Sequence, residues 1–168
     1  METKKYSKIE KVVVNAGIGR ISALPNFKDK ILPQLISDFA LLAGQKPAPR
    51  PAKKSISGFK LREGAIVGLA ATLRGAHMRH FIERLTKIVL PRLRDFRGID
   101  PHHIDANGNL TIGIKENIVF PEIAAEANKV SFGVSITFVP VRVVRGEEAM
   151  AMYRGIGIPF QKSAKKKH

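Results

Sequence analysis

The sequence predicts an α+β fold, a mainly antiparallel β-sheet with helices packed on one face. Two observations carry that expectation. Strand-like and helix-like segments alternate along the chain, but long loops and an Asn107-Gly108 hairpin signal interrupt the order that a doubly wound parallel sheet requires. Such a layer leaves the other sheet face free, and a free face lined with polar strand-end residues is a ready platform for RNA.

The first strand is KIEKVVVN (8–15), which alternates, then turns continuously β-branched, and closes at Asn15 and a glycine-rich turn. From Asn26 to Ala43 a helical period appears in Ile31, Leu35, Phe39 and Leu42, with Gly44 as its stop. Pro33 lies inside that period, so it either kinks the helix or sets residues 26–32 apart as a short turn. Pro47, Pro49 and Pro51 make any strand after Gly44 an edge strand. AIVGLAATLRG (65–75) is the next strand and leads into a helix over 76–90 that Pro91 ends. Met78, Phe81, Ile82, Leu85 and Val89 form its buried stripe, while Arg79, Glu83, Arg84 and Lys87 face outward. DANGNLTIGIK (105–115) is a hairpin and VSFGVSITFV (130–139) a strand. GEEAMAMYRG (146–155) is a short helix with acids in its first turn and Arg154 in its last.

A chain of 168 residues with 44% hydrophobic content is expected to form one RNA-binding domain over residues 1–162, followed by a basic tail at 163–168. Its net charge of +15 repels copies of itself, so no homo-oligomer is expected and the natural partner is a polyanion. That charge is concentrated: residues 46–97 hold 13 basic and 3 acidic side chains. Cysteine is absent, which excludes disulfides, thiolate zinc sites and a Cys nucleophile. No leader-like apolar region follows METKKYSKIEK, and no apolar run approaches membrane-span length, so a cytoplasmic protein with no membrane partner is expected.

AGIGRIS (16–22) follows a strand as a dinucleotide-binding turn does. Ser22 occupies the third glycine position, and Pro25 and Pro33 spoil the helix start, so a plain tight turn is the reading. His77 and His80 lie one helical turn apart and His102 and His103 are adjacent, but nothing nearby completes a metal set. No catalytic spacing is visible, and neither cofactor nor enzymatic activity is expected.

The basic segments carry the functional signal. LPRLRDFRG (90–98) spaces Arg92, Arg94 and Arg97 around Asp95, which can pair one of them, and Phe96; its cations fit both a helix C-terminus and RNA phosphates. Lys46 is a further candidate contact. RPAKKSISGFKLREG (50–64) carries five basic side chains and one acid. Its glycines permit close backbone approach, Phe59 offers a stacking face, and Lys53, Lys54, Lys60 and Arg62 suit phosphates.

GQKP (44–47), AKKSISGFKLREG (52–64), TLRG (72–75), LPRLRDFRG (90–98), GNLTIGIKE (108–116), FPEI (120–123) and IPFQK (158–162) occur in order and at suitable spacing. Together they resemble the bacterial-type large-subunit ribosomal protein five family, from about Lys8 to Lys162. The resemblance implies a non-enzymatic ribosomal protein that attaches 5S rRNA in the central protuberance, beside neighbouring large-subunit proteins. It further implies contacts to 23S rRNA, to P-site tRNA, and to a small-subunit head protein at an intersubunit bridge. Carried over residue by residue, the 5S rRNA contacts fall on Asn15, Gln45, Thr72 and Arg74. The loop facing P-site tRNA falls on Lys53, Lys54, Ser55, Ile56, Ser57, Gly58, Phe59, Lys60, Leu61, Arg62, Glu63 and Gly64. VPVRVVRGEEAMAMYRG replaces the family's acid-rich approach to the last helix, so no residue is carried over for the small-subunit contact.

Overall fold

The computed structural model describes residues 5–59, 61–94, 96–124 and 130–161, with Phe59 and Ala124 in their backbone only. In chain order the elements are β1 (Ile9–Gly17), α1 (Leu32–Ala43), β2 (Ala48–Pro51), β3 (Ile66–Leu73), α2 (Gly75–Arg84), α3 (Leu90–Arg92), β4 (Leu110–Ile114), α4 (Pro121–Ala124), β5 (Val134–Pro140) and α5 (Gly146–Gly155). The strands form one sheet in the order β2-β3-β1-β5-β4, and every neighbouring pair is antiparallel. The α+β architecture expected from the sequence is therefore the one observed.

Alternation decides which face is covered. Val12, Val14 and Ala16 of β1 lie in register with Leu73, Ala71 and Leu69 of β3 and with Phe138, Ile136 and Val134 of β5, and all are buried. Leu35, Phe39 and Leu42 of α1 and Met78, Phe81 and Ile82 of α2 complete one continuous core on that side. Each such side chain contributes about 1.5–3 kcal/mol when removed from water. Tyr153 of α5 is also buried, donating its hydroxyl to the Gly108 carbonyl at 2.6 Å, and burial pushes that hydroxyl's pKa well up. Gly108 has φ +89, and a Cβ there would meet the Val144 carbonyl oxygen at 2.4 Å.

Both internal prolines are absorbed by wider helical turns. Phe27–Ile31 and Leu85–Val89 are π-helical, and Pro33 and Pro91 each follow two residues later. In each wide turn a backbone N–H reaches back five residues, Leu32 to Phe27 and Leu90 to Leu85, which spares the carbonyl that the proline ring would strike. Pro91 therefore does not end the helix as expected; helical structure continues through Arg92. Arg84, expected to face outward, is drawn into contacts with neighbouring elements. It donates to Glu122 at 2.5 Å and to the Leu42 carbonyl at 3.0 Å, which ties α1, α2 and α4 together.

The last strand starts at Val134 rather than residue 130, because buried Asn117 takes the preceding backbone. Its N–H donates to the Phe132 carbonyl at 3.0 Å and its side-chain oxygen accepts from the Phe132 N–H at 3.4 Å. The Asn107-Gly108 turn forms, and Ile104 bridges Leu110 across it. Asp105 closes that turn. Desolvation within the turn acts to raise the carboxyl's pKa, but hydrogen bonds from Asn109, Asn107 and Gly108 outweigh that and leave it below the usual range. The sequence readings of Lys60, of Asp95 as an ion-pair partner, of Phe59 as a stacking face and of the 163–168 tail lie outside the described residues and side chains.

Candidate nucleic-acid interface

The uncovered sheet face carries small side chains, both polar and apolar. One cross-strand row runs Ala48, Ala70, Asn15, Ser135, Gly113, and the next runs Thr72, Val13, Thr137, Thr111. Five strands at ordinary spacing give a platform about 19 Å wide. Thr111 and Thr137 bring their hydroxyls to 3.1 Å, and no side chain larger than Asn interrupts the first row. A surface that shallow lets a polynucleotide backbone approach strand backbone closely, and its hydroxyl and amide groups suit ribose and phosphate oxygens.

Three of the four residues carried over as 5S rRNA contacts share this face. Asn15 and Thr72 are exposed diagonal neighbours, which places the two residues about 7–8 Å apart. Arg74 follows two residues after Thr72, still extended, as the N-cap of α2. Gln45 comes from the turn after α1, where Gly44 in the left-handed conformation (φ +71) caps the helix. Its amide donates to the Thr72 carbonyl at 3.3 Å, which joins Gln45 to the strand that carries Thr72 and leads into Arg74, with Asn15 on the neighbouring strand. Lys46 is exposed beside it.

Sequence reasoning missed Glu10. The β1–β5 register shifts between Ile9 and Lys11, so Glu10 is the extra residue of a β-bulge. It accepts from Arg74 Nη1 at 2.8 Å and lies 3.6 Å from Lys11 Nζ. The hydrogen bond from Arg74, helped by the Lys11 charge, holds the Glu10 carboxyl below its usual range. The only signal in the sequence is an interrupted alternation at Ile9-Glu10-Lys11.

The segment 52–65 is better ordered than a bare basic loop. Pro49 and Pro51 do weaken β2 as a central strand, and it is a fully exposed edge strand. Pairing does not stop at Pro51, however. The Ala52 N–H reaches the Ala65 carbonyl at 2.8 Å, and Gly64 returns to the Ala52 carbonyl at 2.9 Å. Since Arg50 and Ala52 alternate with the prolines, the missing N–H groups fall on the outer edge, where they block addition of another strand. Further out, Ile56 and Leu61 exchange two backbone hydrogen bonds around a 3-10 turn at Ser57–Phe59, and Ser55 Oγ accepts from the Glu63 N–H at 2.9 Å. Lys53, Lys54, Ile56, Gly58 and Arg62 are exposed, and Leu61 is half-buried.

Arg92, Arg94 and Arg97 are all exposed. The first two border a cleft of about 690 Å³ whose far wall is Gly113, Lys115, Ile118 and Val119. The chain after Arg97 is pinned by the C-terminal segment. Ile99 bridges Phe160 in parallel, and Gly98 (φ +101) has no room for a Cβ, which would lie 2.7 Å from the Phe160 carbonyl carbon. Gly98 and Ile99 are thus joined to Phe160 and Gln161, some sixty residues away in sequence.

AGIGRIS folds as a plain turn. Ile18 is fully buried and bonds to the Val67 carbonyl, and only a 3-10 turn at Ile21–Ala23 follows, with no helix start to hold a pyrophosphate. Among the described residues no group of three His, Asp or Glu converges as metal ligands.

Comparison with known proteins agrees along the chain. Residues 5–62 match the family model described as ribosomal protein L5, and residues 66–160 match the model of the same ribosomal family's C-terminus. The chain is 48% identical over 155 residues to the large ribosomal subunit protein uL5 of Ureaplasma parvum serovar 3, covering 92% of this chain and 82% of that one. It is 44% identical to uL5 of Thermus aquaticus with the same coverage. It is 39% identical to uL5 of Leptospira biflexa over 161 residues, 96% of this chain and 85% of that one.

Proposed function

This chain belongs to the ribosomal protein L5 family, a structural and non-enzymatic part of the large ribosomal subunit in translation, and we propose that its open sheet face binds 5S rRNA. In this reading Asn15, Gln45, Thr72 and Arg74 anchor 5S rRNA and help attach it to the central protuberance. The segment 53–64 touches P-site tRNA, Lys46, Arg92, Arg94 and Arg97 make further rRNA contacts, and the protein contacts 23S rRNA and a small-subunit head protein at an intersubunit bridge. The observation that carries the reading is that the four carried-over residues lie along the β1–β3 pair, Gln45 through its bond to Thr72, beside a sheet face with no side chain that blocks a polynucleotide. Rigid strand-end side chains aim hydrogen bonds, while the cations of residues 46–97 supply sequence-independent affinity.

The direct test is to purify the tagged protein at moderate salt and sequence the RNA that accompanies it. The expected result is 5S rRNA in near-stoichiometric amount, in fractions that sediment with large subunits. Recovery away from ribosomes, bound to messenger RNA, would replace this reading with that of a free translational regulator.

A further inference from the structure

The carboxylate at the lip of the RNA face is unexpected in a chain of net charge +15, since an acid there repels phosphate. Strict alternation would leave Lys11 next to Arg74 at the end of the β1–β3 ladder, because Val12 is in register with Leu73. The bulge instead inserts Glu10 between the two cations, bonded to Arg74 Nη1 at 2.8 Å and 3.6 Å from Lys11 Nζ. All three side chains are largely or partly exposed, so no burial demands this pairing. The α2 first turn that begins at Arg74 holds no acid of its own.

We propose that Glu10 determines RNA discrimination by occupying Arg74, so that the guanidinium is available only to an RNA docked in the right register. The inference rests on the reading of the open face as the 5S rRNA site. Arginine has five N–H donors in a planar fork, and one is committed to Glu10. An RNA aligned by Asn15, Thr72 and Gln45 meets the remaining donors with the Glu10 bond intact. A misaligned or generic duplex reaches Arg74 only by displacing the carboxylate, or by placing phosphate against it. Glu10 therefore penalises wrong complexes more than the right one, which is how specificity arises from a repulsive element.

Glu10→Gln keeps size and a hydrogen-bond acceptor while removing the charge. Binding is measured by titration against 5S rRNA and against a generic A-form duplex, poly(A)·poly(U), over a range of salt. The expected result is tighter generic binding, about threefold to tenfold at low salt, with a log–log salt slope steeper by about one. Affinity for 5S rRNA stays within about twofold, so the ratio of the two affinities falls. In an Arg74→Gln background the same substitution should lose most of its effect, which separates action through Arg74 from the release of Lys11. Equal shifts for both RNAs, or no shift for either, overturn the proposal. Loss of 5S rRNA binding in Arg74→Gln alone supports the site itself, so a failure of Glu10 is distinguishable from a failure of the site.

Discussion

The two ends of β3 are built from different physics. At Leu73 the strand is fully buried, its neighbour Thr72 receives the Gln45 amide on its carbonyl, and Arg74 is held by Glu10 before α2 begins. At Ile66 the strand descends from a tip whose residues 53–58 are all exposed and which is held by a few backbone bonds and one serine hydroxyl. Side chains at the first end are aimed by the packed core beneath them. Those at the second rest on bonds open to water, which places the tip at the low end of local stability. One strand thus provides both a fixed anchor and an arm, which fits the proposed division between a held 5S rRNA and a transient tRNA.

The largest expected effect is at the anchor. Arg74→Ala should weaken 5S rRNA binding by about 1–3 kcal/mol, the range for charge-assisted hydrogen bonds. Filter-binding titration of the folded variant checks this, and full affinity would remove Arg74 from the site. At the other end, shortening Ser55–Leu61 to a glycine linker should leave 5S rRNA affinity within about twofold. P-site tRNA should then leave ribosomes carrying the variant faster by roughly fivefold, the equivalent of about 1 kcal/mol. A fall in 5S rRNA binding with no change in tRNA release would exchange the two assignments.

A smaller effect concerns charge. Lys53→Gln and Lys54→Gln remove exposed cations without touching a hydrogen bond among the described residues of the tip. Each should reduce the salt slope of tRNA binding by about one while leaving that of 5S rRNA unchanged. Equal reductions for both RNAs would mean that the tip lies on the 5S rRNA as well.

Periodicity made the sheet, its buried face and the α2 stripe legible, because each depends on side chains two, three or four positions apart. What stayed hidden depends on partners far away in the chain. Arg84 has an ordinary outward spacing and becomes a staple only because Glu122 and Leu42 arrive beside it. Asn117 reads as a loop residue and is buried because Phe132 needs its amide. Glu10 reaches Arg74 through a bulge, and a bulge is set by pairing with β5 rather than by its own strand. The prolines show the converse, since a disruption legible in the sequence was accommodated by wide turns. The residues of the candidate site came from resemblance to a family; the structure adds that they lie along the β1–β3 pair, with Gln45 bonded to Thr72.

The smallest effect tests whether the arm keeps its own order. Ser55 Oγ accepts from the Glu63 N–H at 2.9 Å, across a loop that already carries the Ile56–Leu61 pair. Both residues are exposed, so water can replace the hydroxyl, and Ser55→Ala should cost about 0.5 kcal/mol, the low end for a hydrogen bond. Hydrogen exchange at the Glu63 amide should quicken by roughly twofold. The Leu61 amide lies inside the same loop and should quicken with it, because opening at Ser55 frees the Ile56–Leu61 pair. Amides of Leu69 to Leu73 should keep their rates, since the core and β1 hold them independently. If Leu73 quickened together with Glu63, strand and tip would open as one unit, and the arm would have no motion separate from the anchor.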